Sequence, residues 1–595
     1  MLNYRRAHVL TRYQTIPCTS SDSACLGYST GDSSDQDAKH CTQSRQIEGV
    51  RGLLSCVYAL LHGFRWISDT PAAFTTMDNY TTHVPPPPSH YEGYTLVSFL
   101  TSRSRAMYYF TVTAILLVAW LLRSNTTGKI DAPFYKASLT KWIFDAENLI
   151  KDSYVKFQDK VYQIKATEGV QTMIPVKMIG EIKGLPDNVL SQPDAIAEAM
   201  QTKYTKFSPG HNSDMLALLV RTRLTQNLAR LIPRLKIELE HIVAEEFPAC
   251  DDWTPVKFQP FSLRAIARLS GHAFVGPSIS RNEDWMKSSI DYAVTVFMAG
   301  VKLQFFPQWA RPVVQYFVSD LYKIKSEIKK VKGMLKPVLE ERLQMRELGV
   351  PAEERPDDMT EWLIDGLPDD EKADLQVHAE LQLILSAASI HTTNNLLCEC
   401  ILDLAAHPEA QTELREEAYQ VLEVEGGWAR KESMARLKKL DSFMREVQRL
   451  RGNITSFIRK VNKPITLSDG TELPPGTKVL AAQAGISRDE RYFSNPDELD
   501  ALRFYHMRQE SEEASNRWQF TSLSDTNINF GAGKHACPGR FFASNEIKTV
   551  LAYFLINYDL RLNPGTERPM PMAIVMTKAP SPKTEVEFRR RSLAI

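Results

Sequence analysis

One cysteine constrains this chain more than any other feature. The stretch Asn529-Phe-Gly-Ala-Gly-Lys-His-Ala-Cys-Pro-Gly-Arg-Phe-Phe-Ala543 sets Cys537 between a glycine-rich turn and an amphipathic helix carrying Phe541, Phe542, Ile547, Val550, Leu551 and Phe554. Gly531 and Gly533 permit a tight turn, and Pro538 and Gly539 lead into the helix. A thiol just ahead of a helix N-terminus meets unpaired N–H groups and the positive end of the helix dipole, both of which favour the thiolate. The loop is shaped to hold an anionic sulfur.

Two other readings compete for the same residues. Gly531-Ala-Gly533-Lys-His-Ala536 also fits the dinucleotide fingerprint G-x-G-x-x-A, with Asp559 about twenty residues downstream as a ribose-binding acid. That fold needs a helix starting at the second glycine, where Pro538-Gly539 would interrupt its first turns, and Asn527-Ile-Asn-Phe530 is a poor buried strand. An ordinary buried cysteine would leave the placement of the glycines, His535 and Arg540 unexplained.

Phe530-x-x-Gly533-x-x-x-Cys537-x-Gly539 resembles, at every position, the haem-binding signature of the cytochrome P450 superfamily. The resemblance implies a mainly α fold with small β-sheets (α+β) and haem b, iron protoporphyrin IX, as cofactor. It makes Cys537 the axial ligand of the haem iron, His535 a hydrogen-bond partner of a haem propionate, and Phe530 the aromatic ring packed near the ligand. Glu446 and Arg449 are spaced i,i+3 and can pair on one helical face, a spacing that is worth little alone. They precede the cysteine by about ninety residues, as the family's Glu-x-x-Arg does, and Arg503 follows in between. On that resemblance Glu446, Arg449 and Arg503 lock the loop that supports the haem, and Arg459 stands where a second propionate ligand is often found.

Residues Glu380 to Ala406 read as a long helix, apolar on nearly every face, and therefore buried. Ser389, His391, Thr392 and Thr393 interrupt it; in an ordinary helix the threonines bond back to carbonyls one turn earlier and His391 is a satisfied core histidine. Ala388-Ser-Ile-His-Thr-Thr393 resembles the family's oxygen-activating segment, usually Ala-Gly-x-Asp/Glu-Thr-Thr. The resemblance implies that Thr392 lines the distal pocket and helps deliver protons. Ser389 replaces the glycine and His391 the acid; an imidazole can relay protons near neutral pH. Ser389 and Ile390 are expected at the substrate pocket, with the aromatic-rich stretch Val294 to Trp309 and the loop after Gly452. Cys398 and Cys400, two apart on this helix, face different ways and read as core.

Residues 1–100, rich in Ser, Thr, Asp and Gln, read as a low-complexity, largely disordered extension. Family members usually begin a few residues before a membrane span, so this extension is also a candidate gene-model artefact. Segment 104–124 holds the uncharged run Ala106 to Leu122, bracketed by Arg103, Arg105 and Arg123. At ~1.5 Å per residue its seventeen residues reach about 25 Å, against ~30 Å of hydrocarbon, and it reads as a transmembrane anchor. On the resemblance, residues 130–595 are expected to form the catalytic domain. Lys plus Arg (71) equal Asp plus Glu (71), which removes the basic footprint of a nucleic-acid binder. Sequons at Asn79, Asn125 and Asn453 mark a possible glycoprotein.

Ser-Ile-His-Thr-Thr393, Leu224-Thr-Gln-Asn-Leu228 and Arg540-Phe-Phe-Ala-Ser-Asn-Glu-Ile-Lys548 resemble fungal enzymes related to ent-kaurene oxidase and the gibberellin-pathway monooxygenases. The resemblance implies a monooxygenase acting on a bulky hydrophobic secondary metabolite, a terpenoid by preference. Electrons would come from NADPH through a separate NADPH-cytochrome P450 reductase. The flanking positive charges do not settle orientation; with the anchor, the resemblance implies a single-pass protein, expected in the endoplasmic reticulum with its catalytic domain in the cytoplasm. The family's Trp-x-x-x-Arg haem contact is missing from 211–235, where Arg221 or Arg223 would replace it. A haem-thiolate isomerase or dehydratase, and a non-catalytic haem-binding membrane protein, remain as alternatives.

Overall fold

The computed structural model describes residues 130–592 apart from Pro209 and Lys431, so the extension 1–100 and the anchor 104–124 lie outside the described residues. Among the described residues no helix is long and apolar enough to cross a membrane.

The 3.6-residue periods fold as helices, and the longest apolar one becomes the axis of the domain. Leu375–Ala406 runs 32 residues, starting five residues before the expected Glu380 because Asp374 caps it by accepting from the amides of Gln376 and Val377. Phe258–Phe274, Glu283–Gln304, Ser319–Glu347, Lys438–Arg451 and Arg540–Asn557 all pack against it. A helix apolar on nearly every side needs neighbours all round. The first of them comes very close to the turn that follows it: a Cβ on Gly271 would lie 3.0 Å from Ser280 Cβ and 3.1 Å from Trp285 Nε1.

Lys478–Ala481 and Tyr558–Arg561 are strands of separate sheets. One sheet has six strands in the order Phe134–Tyr135, Tyr162–Ala166, Gly169–Ile174, Lys478–Ala481, Ser456–Val461, Leu190–Ser191. Tyr558–Arg561 joins Val586–Arg590 and Thr254–Val256 in a smaller one. The 3.6-residue apolar period that runs through 136–165 is helical only as far as Lys156, and Tyr162–Ala166 pairs with Gly169–Ile174 around a turn in which Gly169 has φ +111°. Within the acidic stretch 348–375, Met359–Gly366 is helical, capped by Asp358 and buried through Met359, Trp362, Leu363 and Ile364.

Two hydrophobic cores result, one among the helices and one beneath the six-stranded sheet. The cysteine loop runs along their seam. Ile528 and Ala532 are buried in the sheet core, Phe530 packs on the helical core, and Phe542 lies inside it.

Candidate active site

The loop closes on itself before the helix begins. Gly531 and Gly533 take φ +75° and +65°, and the Cys537 amide donates to the Phe530 carbonyl at 2.7 Å. A Cβ on Gly533 would lie 2.2 Å from the Lys183 carbonyl oxygen, so only glycine lets the turn sit against that backbone. A short 3-10 turn, Gly533–His535, follows, and the helix starts at Arg540. The dinucleotide fingerprint needs a helix from the second glycine, and that helix is not there; Asp559 pairs with Arg415, Arg589 and Arg591. Burial pushes the Cys537 thiol up, opposed by the Gly539 amide, the Arg540 guanidinium and the Arg540 amide. Phe530 stands edge-on to Phe520, with ring centroids 5.2 Å apart.

Arg459 reaches the same loop from the sheet. A register shift between Ser456 and Arg459, with Phe457 at φ +57°, bulges the strand. The guanidinium then lies over the Phe457 ring, 4.4 Å from its centroid, and donates to the carbonyls of Ile458 and Ala532. Among the described residues no carboxylate bonds it, and burial pushes it down to about 10. His535 and Lys534 meet on Asp187, at 2.6 and 2.8 Å. Burial raises the Asp187 carboxyl, but these two bonds hold it below its ordinary value. Burial pushes His535 down, opposed by its bond to Asp187.

Glu446, Arg449 and Arg503 come together as a buried knot. Arg449 forks onto Glu446 at 2.8 and 2.7 Å, and Arg503 Nε donates to the same carboxylate at 3.0 Å. The arginines spend their remaining donors on the carbonyls of Ser487, Pro496 and Ser494. Neighbouring bonds extend the support to the cysteine loop. Asn453 donates twice to Asn529, Ser456 Oγ to the Ile528 carbonyl, and Asp441 accepts from the Phe520 amide. The Asn453 carboxamide, part of a sequon, is thus engaged.

On the central helix, Ala388 and Thr392 are exposed at i,i+4 where nearly everything else is buried. Thr392 Oγ1 donates to the Ala388 carbonyl at 2.7 Å, the back-bond expected of an ordinary helical threonine, yet its side chain faces open space rather than packing. His391 turns elsewhere, with Nε2 2.9 Å from the Ile290 carbonyl and no bond to Thr392. Ile390, expected at the pocket, is instead sealed in the core, because two residues carry it to the side of the helix opposite Thr392. Ser389 is half-buried and bonds Ser270. Cys398 and Cys400 are core, as expected, and burial pushes the Cys398 thiol up to about 12.

The family model for cytochrome P450 matches residues 221–588. Cytochrome P450 monooxygenase AN1598 of Emericella nidulans is 33% identical over 87% of this chain and 98% of its own length. Cytochrome P450 monooxygenase BOA4 of Botryotinia fuckeliana is 36% identical over 70% of this chain and 84% of its own. Cytochrome P450 monooxygenase 71 of Postia placenta is 33% identical over 82% and 98%.

The chain belongs to the cytochrome P450 family. It is an enzyme of the P450 monooxygenase kind, an oxidoreductase for which the family implies a haem-iron cofactor, a redox partner and a small-molecule substrate. The residues present fit the cofactor. Cys537 offers a thiol ahead of a helix N-terminus, where the Gly539 and Arg540 amides and the Arg540 guanidinium favour its anionic form, and it would hold the iron. Arg459 is a buried cation with no carboxylate to bond, beside the same loop, and suits a propionate. Of the two candidates for the missing tryptophan-arginine contact, Arg221 lies close enough to Arg540 to lower its pKa, whereas Arg223 faces Asp365. The sequence gives no signal for Asp187, which lies about 350 residues before the P450 loop it braces.

Proposed function

We propose that this P450 is a haem-thiolate monooxygenase hydroxylating, or otherwise oxidising, a bulky hydrophobic secondary metabolite of terpenoid class. Electrons come from NADPH through a separate P450 reductase. The observation that carries the haem-thiolate reading is the Cys537 sulfur ahead of a helix N-terminus, in a loop that also receives the guanidinium of Arg459, which no carboxylate bonds. Cys537 would hold the iron, and Arg459 and His535 the propionates. Once bound, the haem supplies dioxygen activation, which a thiolate ligand favours by pushing electron density onto the metal.

The chain's own groups do the rest. Glu446, Arg449 and Arg503 fix the segment 487–503 and keep the support of the cysteine loop rigid. Thr392 presents a hydroxyl on the one open face of the central helix and can hold or pass a proton there. Membrane attachment through 104–124 would bring lipid-soluble substrate and reductase to one surface. An exposed aromatic segment, Phe305, Trp309, Val313, Tyr316 and Phe317, supports that placement.

The test is the absorption spectrum of the reduced, carbon-monoxide-bound protein and of Cys537→Ala. A thiolate-type Soret band in the wild type, lost in the variant, is expected. Correctly folded, haem-supplied wild type without the band overturns the reading. A screen of terpenoid hydrocarbons with reductase and NADPH then tests the substrate class, and turnover confined to other scaffolds would refute it.

A further inference from the structure

Glu546 sits on the helix that follows Cys537 and is completely buried. It is not part of the site described above. Its Oε1 lies 2.9 Å from Ser270 Oγ on the helix Phe258–Phe274, and Ser270 Oγ lies 3.1 Å from Ser389 Oγ on the central helix. Its Oε2 has no partner. A carboxylate in that place would hold a charge with one hydroxyl to solvate it, so the acid form is the stable one. Burial pushes the group up to about 8, opposed only by the Ser270 hydrogen bond.

We propose that Glu546 is a buried proton store for the oxygen-activating segment of this P450, joined to it through the hydroxyls of Ser270 and Ser389. The proposal rests on the haem-thiolate reading and deepens it. Two departures from the family pattern make it specific to this chain. His391 stands in place of the acid, and its ring is tied to the Ile290 carbonyl instead of Thr392. Ser389 stands in place of a glycine, and its hydroxyl is the atom that meets Ser270. Ser270 and Glu546 are sealed, while Ser389 is half-buried and lies between Ala388, which is exposed, and Ile390. Its carbonyl also accepts from Thr392 Oγ1 at 3.3 Å.

The transfer balances without another reactant besides water. With its proton on Oε1, Glu546 passes it to Ser270 Oγ as the Ser270 proton moves to Ser389 Oγ and the Ser389 proton moves to water on the open face. Glu546 is left as a carboxylate, and a proton from solvent restores it along the same hydroxyls in reverse. The ionisable groups on the elements around it are otherwise engaged. Arg268 and His272 face Glu238, Glu245 pairs with Arg268, Lys548 pairs with Asp441, and Arg415 with Asp559. Glu546, Ser270 and Ser389 are positioning residues, acting through one another on the segment that carries Thr392.

Infrared difference spectra of the full haem-loaded protein against Glu546→Gln test the store directly. The expected result is a protonated-carboxyl C=O band at pH 7, absent from the variant, titrating near pH 8 and shifted in Ser270→Ala and Ser389→Gly. Ser389→Gly restores the family's residue and keeps the helix. With reductase, NADPH and dioxygen as the only substrate, the peroxide released per dioxygen consumed should rise several-fold in all three variants, their carbon-monoxide band remaining normal. A wild type without that band overturns the reading on which the relay rests. A normal band with no carboxyl signal, or with signal and peroxide yield both unmoved in Ser389→Gly, overturns the relay alone.

Discussion

Arg503 Nε lies 3.0 Å from Oε1 of Glu446, fully buried, across fifty-seven residues of sequence. Arg449 grips the same carboxylate from one helical turn away. One negative charge thus holds two buried guanidiniums, and each guanidinium ties down backbone carbonyls of 487–498. Glu446→Ala would leave both arginines uncompensated, at a cost of roughly 3–5 kcal/mol. Denaturant unfolding should show that loss, and haem-supplied expression should yield little haem protein; a midpoint near wild type would count against the knot as a structural lock.

Gly533→Ala forces a Cβ toward the Lys183 carbonyl at a position of φ +65°. The left-handed backbone alone costs about 1–2 kcal/mol, and the clash must be relieved by lifting the loop. Haem retention should fall while helical circular dichroism is kept. Unchanged haem content would show that the Lys183 contact does not position the loop.

Arg459→Gln removes a buried charge that no carboxylate bonds. The haem-free chain should become no less stable, since such a charge is a cost in the fold, while haem should dissociate faster. Thermal melting of the haem-free form and haem transfer to a scavenging globin measure the two effects. A destabilised haem-free chain with normal retention would place the role of Arg459 in packing instead.

Thr392→Ala deletes a hydroxyl whose bonds go only to the Ala388 and Ser389 carbonyls. Stability should change by about 1 kcal/mol or less, and the peroxide fraction of consumed dioxygen should rise. A large stability loss with unchanged coupling would return Thr392 to the status of an ordinary helical threonine.

The stability of the fold should carry the signature of Glu546, an acid with its folded pKa raised to about 8 from 4.5. Between those values the unfolded chain has released the proton and the folded chain keeps it, so the folded state binds more protons. Its stability contribution therefore falls as pH rises from about 4.5 to about 8, by up to roughly 1.4 kcal/mol per pH unit, and levels off above. Urea midpoints across that range should fall less steeply for Glu546→Gln; parallel curves would show that the group is ionised in the fold.

The cysteine loop and the Glu-x-x-Arg pair were legible because each is a local pattern. Gly531, Gly533, Pro538 and Gly539 dictate a turn and a helix start whatever lies around them, and an i,i+3 pair shares a face on any helix. The burial of the central helix was equally readable from its all-round apolarity. Tertiary structure decided what depends on residues far apart in the chain. Asp187 braces His535, the bulge at Phe457 turns Arg459 to the loop, and Ser270 bridges Glu546 to Ser389. It also put Ile390 in the core and turned His391 to Ile290, because a step of 100° per residue decides which side of a helix meets a neighbour and which meets open space. Spacing along a sequence fixes which groups can share a turn or a face; which groups meet across the fold depends on how those faces pack.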